Sequence, residues 1–240
     1  MNGPVFILKG NIVYSKDQNE LSICEHGYLV CRDGQVDGVY QTLPFRLGGN
    51  PIHDFGDCLI IPGLVDLHIH APQYSFRGLG MDMELLEWLE TNTFPEEAKY
   101  ESLEYARKAY QIFADNMRRS ATTRACIFGT VHRPATLLLM DMMEKTGLDT
   151  MIGKVNMDRN CPDYIIEETE ESAGETLEWI KDVLHRKYKN TRPILTPRFT
   201  PSCTDELMEE LKKLQMRYGL PLQSHLSENP GEIAWVKELC

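Results

Sequence analysis

Two histidines separated by one residue close the apolar run Pro62-Gly63-Leu64-Val65-Asp66-Leu67-His68-Ile69-His70. Alternate residues of a strand point to the same side, so His68 and His70 would present both imidazoles together. At the C-terminal end of a barrel strand that side faces an active-site mouth, where two neutral imidazoles make half of a metal site. A third imidazole stands in Leu222-Gln223-Ser224-His225-Leu226-Ser227-Glu228. His225 would end another strand, and Glu228 would stand beside a metal without binding it. A group in that position can handle the protons of an activated water. H-x-H alone, or a strand-end His before a loop Glu, also occurs as plain surface chemistry. Their occurrence in one parallel sheet is what points to metal-assisted hydrolysis. His132 reads as a loop histidine, and His26, His53 and His185 have no constellation around them.

The elements that must carry these groups fall into two kinds. Up to about residue 60 the chain reads as short strands with no helix of useful length. Val5–Leu8 and Asn11–Tyr14 flank a Lys9-Gly10 turn, which suggests a hairpin, and the Asp33-Gly34 pair after Cys31 signals another. From Cys58 onward apolar strands alternate with amphipathic helices, which implies a parallel sheet. The strands expected are Leu59–His70, Ala121–Phe128, Met151–Met157, Pro193–Arg198 and Pro221–His225.

Between the strands, Leu103, Ala106, Tyr110, Phe113 and Met117 recur at helical spacing, as do Leu207, Leu211, Leu214 and Tyr218 between a Thr204 cap and Gly219. Ser172 with Glu175 forms a capping-box pattern ahead of Leu177, Ile180 and Leu184, and Asn229, Pro230 and Glu232 open a last helix. At roughly 40 residues per unit, the stretch from residue 59 holds five strand–helix units, whereas an eight-unit barrel needs about 250 residues. The expectation is a barrel cut after its fifth strand; a complete five-stranded open sheet would leave an unpaired apolar edge.

Composition narrows the function classes. Of 240 residues, 42% are hydrophobic and 25% charged, ordinary for a globular protein with a sizeable core. The net charge of −11 argues against nucleic acid and anionic lipid as partners. Seven cysteines, none in a C-x-x-C pair, suit a reducing compartment and no zinc ribbon. With no signal-peptide pattern and no long apolar run, the expected location is the cytosol.

Pro62 to His70 resembles the signature of the amidohydrolase superfamily. His70-Ala71-Pro72-Gln73-Tyr74-Ser75-Phe76, Leu85-Leu86-Glu87-Trp88-Leu89 and Thr93-Phe94-Pro95-Glu96 are similar to guanine deaminases in particular. So are Gly153-Lys154-Val155 with Met157-Asp158, Thr196-Pro197-Arg198-Phe199 and Ser224–Asn229, in order along almost the whole chain and weakest in its first 55 residues. The resemblance implies an α/β chain with a (β/α)8 TIM-barrel fold, here truncated. Residues 1–58 would be part of a small β-sandwich domain, and 59–240 the first part of the barrel.

The same resemblance makes His68, His70 and His225 ligands of one zinc ion per chain and Glu228 the proton shuttle. Gln73, Arg198 and Phe199 would contact the purine, and a homodimer would be the common assembly. The implied reaction is hydrolysis of guanine at C2 to xanthine and ammonia, with no organic cofactor. A further His and an Asp that complete the family's site would lie beyond Cys240, so the 240-residue chain alone is expected to be inactive. Ala121 and Arg124 stand where smaller or glycine residues are expected.

Two other readings stand beside this one. A related amidohydrolase acting on cytosine, an adenosine-type base or a triazine would share the histidines and Glu228, and only the Gln73, Arg198 and Phe199 blocks separate it. A dinuclear site is disfavoured, because Ile194 to Cys203 offers no bridging lysine. From another class, the chain would be a non-catalytic fragment.

Overall fold

The computed structural model describes residues 4–240 and divides the chain into two compact units, one ending at Gly63 and one starting at Leu64. In the first unit β1 (Val5–Ser15), β2 (Leu21–Arg32), β3 (Gln35–Tyr40) and β4 (Ile52–Ile60) form one sheet in the order β3-β2-β1-β4. The hairpin expected across Lys9-Gly10 is absent: β1 runs straight through, with a register shift between Gly10 and Ile12. Asn11 occupies that bulge, and its side chain accepts a bond from the His26 backbone N–H. The turn at Asp33-Gly34 does form, both residues having positive φ of 52° and 76° between the antiparallel β2 and β3. Ile7, Val30 and Leu47 make this unit's small core.

The second unit holds the strand–helix alternation. After β5 (Leu64–His70) come α1 (Leu85–Trp88), one π-helical turn (Leu89–Thr93), α2 (Phe94–Ala98) and α3 (Leu103–Arg119). β6 (Thr122–Phe128), α4 (Arg133–Thr146), β7 (Asp149–Gly153), β8 (Val155–Asn156) and α5 (Thr169–Arg186) follow, then β9 (Thr191–Pro193), β10 (Thr196–Pro197), α6 (Asp205–Tyr218) and α7 (Pro230–Leu239). β5, β6, β7 and β9 pair in parallel in that order, β8 pairs with β10, and bridges at Leu195–Leu222 and Phe199–His225 add a fifth strand position. Five parallel positions in chain order, with helices between them, are the opening units of a (β/α) barrel.

Strand boundaries differ from the expectation for identifiable reasons. Leu59 and Ile60 belong to β4, because Pro62 has no N–H to carry a ladder onward into β5. The third and fourth strands are each split in two. At the split, a Cβ on Gly153 would stand 1.7 Å from Thr196 Oγ1, so only glycine lets these strand ends converge. The fifth strand is reduced to bridges, held by the backbone bonds Leu195 N to Pro221 O, Gln223 N to Leu195 O and His225 N to Arg198 O. Arg124 projects outward and pairs with Asp149 at 3.7 Å, which accounts for a large residue in this strand.

Helix patterning came through with two changes. Ala106, Tyr110, Phe113 and Met117 of α3 are buried, but Leu103 is exposed. In α5 the buried stripe is Ser172, Thr176, Trp179, Ile180 and Val183, and the helix starts three residues before Ser172. Ser172 therefore caps nothing. Its hydroxyl donates to Glu167 and accepts from Asn156, while Glu175 pairs with Arg133. The main core packs α3, α4 and α5 against the sheet through Phe113, Leu139, Met140, Ile127, Ile152 and Trp179. Among the described residues no helix is long and apolar enough to cross a membrane.

Candidate active site

His68 and His70 end β5, and a bulge between Asp66 and Ile69 re-aims that end. Asp66 supports the bulge by accepting a bond from the His68 N–H at 3.1 Å. The two imidazole rings come within 5.2 Å of each other. His225, on the fifth strand position, brings Nε2 to 3.0 Å from Nε2 of His70, and donor atoms of all three histidines lie within 4.8 Å of one another. Phe128, at the end of β6, is fully buried beneath all three, with ring centroids 5.0, 4.4 and 4.6 Å from His68, His70 and His225.

His70 and His225 are prepared as neutral donors. Burial pushes His70 well below the usual histidine range, and the Arg198 charge adds to the effect. His225 falls to about 4, again mainly through burial, against the opposing bond to the Arg198 carbonyl. That bond, His225 Nδ1 to Arg198 O at 2.6 Å, places the ring proton on Nδ1 and leaves the Nε2 lone pair free. His70 Nδ1 is buried without a partner. A tetrahedral ion at about 2.0–2.1 Å from each nitrogen needs nitrogens about 3.3 Å apart. The His70–His225 spacing is already near that, and exposed His68 can close the rest by side-chain rotation. The donor set fits a divalent metal.

A cavity of ≈ 200 Å³ opens over this cluster, lined by the three histidines, Gln73, Arg198, Phe199 and Glu228, with Leu85, Trp88 and Leu89. Every site residue singled out from the sequence thus lies on one cavity. Phe199 is 4% exposed and follows β10; Arg198, beside it, is 2% exposed. Glu228 stands at the rim, where packing on its inner side raises its carboxyl above the ordinary glutamate value and the nearby His68 and Arg198 partly oppose this. The Glu228 backbone N–H donates to Glu232 Oε2 at 2.5 Å and that of Ser227 to Glu232 Oε1 at 3.2 Å. Glu232 is in turn tied to the cap of α7 through Asn229 Oδ1 at 2.8 Å.

Sequence reasoning missed several residues around this cavity. Phe128 was read only as the end of a strand, although strand ends on this face are where barrels put their sites. Trp88 and Leu89 lay in a block noted only for its likeness. Glu97, immediately after the Thr93–Glu96 block, is 1% exposed and ion-paired with Arg198 at 2.6 Å. Its position in a short acidic turn before a helix looks like ordinary dipole compensation, and no local signal separates the two.

Residues 59–239 match the sequence model of the Amidohydrolase family. Over 186 residues the chain is 46% identical to the guanine deaminase of Dictyostelium discoideum, covering 78% of this chain and 41% of that protein. Among solved structures it is similar to the guanine deaminase of C. acetobutylicum with guanine bound in its active site, at 46% identity and a TM-score of 0.93. That match covers 98% of this chain and 56% of the solved one. Likeness to the triazine hydrolase of Arthobacter aurescens, at 18% identity and a TM-score of 0.79 over 98% of this chain and 55% of that one, reflects the shared fold. The chain spans about two fifths of the Dictyostelium relative and just over half of the solved chains.

Proposed function

Because this chain belongs to the amidohydrolase family, we propose that the protein containing it deaminates guanine hydrolytically to xanthine and ammonia, with one zinc ion per chain held by His68, His70 and His225. The observation that carries this reading is a single cavity in which three converging imidazoles face Gln73, Arg198 and Phe199, with one carboxyl, Glu228, at the rim. Bound there, zinc would supply Lewis acidity that brings a water toward ionisation near neutral pH.

The side chains of this chain do the rest. Phe128 packs beneath the three rings and restricts their tilt. Arg198 O holds His225 in the tautomer with a free Nε2. Glu228 takes a proton from the water and delivers it to the ring nitrogen beside C2, a transfer suited to a carboxyl raised above its ordinary value by burial. Phe199 gives the base an apolar face, while Gln73 and Arg198 offer polar contacts to its edge. Free thiols at all seven cysteines support a cytosolic setting, and a homodimer is the assembly we expect.

Ammonia release from guanine, adenine, cytosine and their nucleosides, measured on the full-length protein, tests the assignment. Guanine should be the preferred substrate, and equal or better turnover of any other would overturn it. Metal analysis should return one zinc per chain.

A further inference from the structure

Glu97 lies behind the cavity wall and does not line it, yet both its carboxylate oxygens are committed to residues that do. Oε2 accepts from Arg198 Nη1 at 2.6 Å, and Oε1 accepts from Arg198 Nη2 at 3.3 Å and from Gln73 Nε2 at 3.0 Å. Gln73 follows β5 and Arg198 follows β10, so a single carboxylate joins side chains from two distant strand ends. Fold stability is a poor reason for this arrangement: burying such a pair costs about as much as the pair returns, and apolar replacements often serve as well. Orientation is a better one.

A carboxylate only accepts hydrogen bonds, so Gln73 must turn its NH₂ toward Glu97. Its carbonyl oxygen is then the group left for the cavity. Arg198 has one edge of its guanidinium taken by Glu97 and its plane held over the Phe94 ring at 5.2 Å. Arg198 also lines the cavity, so the N–H groups not used on Glu97 are the donors it can offer there. The pocket therefore presents an acceptor from Gln73 and donors from Arg198; Arg198 can only donate, and Gln73 cannot reverse its amide without breaking its bond to Glu97.

We infer that Glu97 is a positioning residue that sets the hydrogen-bond polarity of the base-reading wall, selecting oxopurines, which offer a ring N–H beside an acceptor, over purines whose six-membered ring carries no N–H. This rests on the purine reading above and adds the group that enforces its selectivity.

Two features let the idea be tested apart from folding. The loop carrying Gln73 is anchored independently by Glu96, which accepts from Ser75 Oγ at 2.7 Å and pairs with Lys99 at 2.6 Å. The contact that orients His225 comes from the Arg198 backbone, which Glu97 does not touch.

The test uses the full-length protein and equilibrium binding of xanthine and adenine, neither of which requires turnover of guanine. Glu97→Gln keeps the side-chain shape but can donate as well as accept, so the Gln73 amide is no longer held one way. It should weaken xanthine binding by at least about tenfold and narrow the preference for xanthine over adenine by a similar factor. In steady state the loss should appear in KM for guanine more than in kcat, with metal content unchanged. Glu96→Gln, which loosens the same turn without touching Gln73 or Arg198, should leave the preference near wild type.

Unchanged xanthine affinity and preference in Glu97→Gln would overturn the inference. So would equal losses in both variants, or a wild-type protein that binds neither base. A wild-type protein that binds xanthine selectively but does not deaminate guanine would overturn the proposed reaction and leave the role of Glu97 supported.

Discussion

Glutamine at position 228 preserves the shape of the side chain and removes its ability to carry a proton, so Glu228→Gln isolates one chemical event. The loop should not move, because Glu232 holds it through the backbone N–H groups of Ser227 and Glu228, not through the Glu228 carboxyl. The remaining ionisable groups on the cavity wall are poor substitutes. In the proposed site the three imidazoles would serve as metal donors, and the Arg198 guanidinium only donates hydrogen bonds. Glu97 is buried behind the wall with both oxygens engaged.

With no deputy, the loss should sit near the upper end of the 10²–10⁴-fold range for a general acid–base, about 5 kcal/mol of transition-state stabilisation at ~1.36 kcal/mol per tenfold. The assay is kcat from ammonia release on the full-length protein, with guanine affinity and zinc content measured beside it. Guanine and zinc should remain bound. If zinc is lost, Glu228 is a ligand; if kcat stays within about tenfold of wild type, the proton travels by another route and the assignment fails.

Other perturbations probe separate links. His225→Ala should reduce metal affinity by more than the 10–100-fold that outer-shell changes typically cost (about that range), read by metal analysis after dialysis. Leu139→Ala opens a hole under α4 at a fully buried position and should cost about 2–5 kcal/mol in denaturant unfolding. Glu144→Gln should cost about 1 kcal/mol, since its carboxylate accepts the backbone N–H groups of Lys189, Asn190 and Thr191 at 2.8, 3.0 and 3.0 Å in a partly solvated turn. Burial raises the Glu144 carboxyl, but those N–H groups outweigh it and hold the group below its ordinary 4.5. Its stabilisation is therefore complete above that value and lost as pH falls through the lower folded one, so the wild-type advantage over Glu144→Gln in thermal unfolding should vanish in acid.

Much of the framework was legible because it is written in local chemistry. Thr204 accepts from the Leu207 N–H and Gly219 ends α6 at φ 64°, as a cap and a left-handed terminator should. Asn229 caps α7. These features depend on neighbours within four residues, and the same is true of the buried stripe on α3. Ser172 shows the limit of such reasoning: its pattern matched a capping box, but Glu167 and Asn156, brought in by the tertiary fold, offered its hydroxyl better partners. Lys9-Gly10 failed for the same reason, since pairing along both β2 and β4 rewards a continuous β1 more than a turn there.

By itself the sequence determined which residues could form the site: the strand-end histidines, the carboxyl three residues after His225, and the Arg198-Phe199 pair at the close of the fourth strand. Side-chain alternation and helix periodicity have fixed geometric periods, so residue type and spacing suffice to place such groups on one face of a sheet. Only the tertiary structure decided what surrounds them. Phe128 lies under three rings from two other strands, and Glu97 holds both Gln73 and Arg198, the latter 101 residues further along the chain. Contacts of that kind have no period in the sequence. They exist because parallel strands, brought side by side by the helices between them, put residues far apart in the chain within hydrogen-bonding distance.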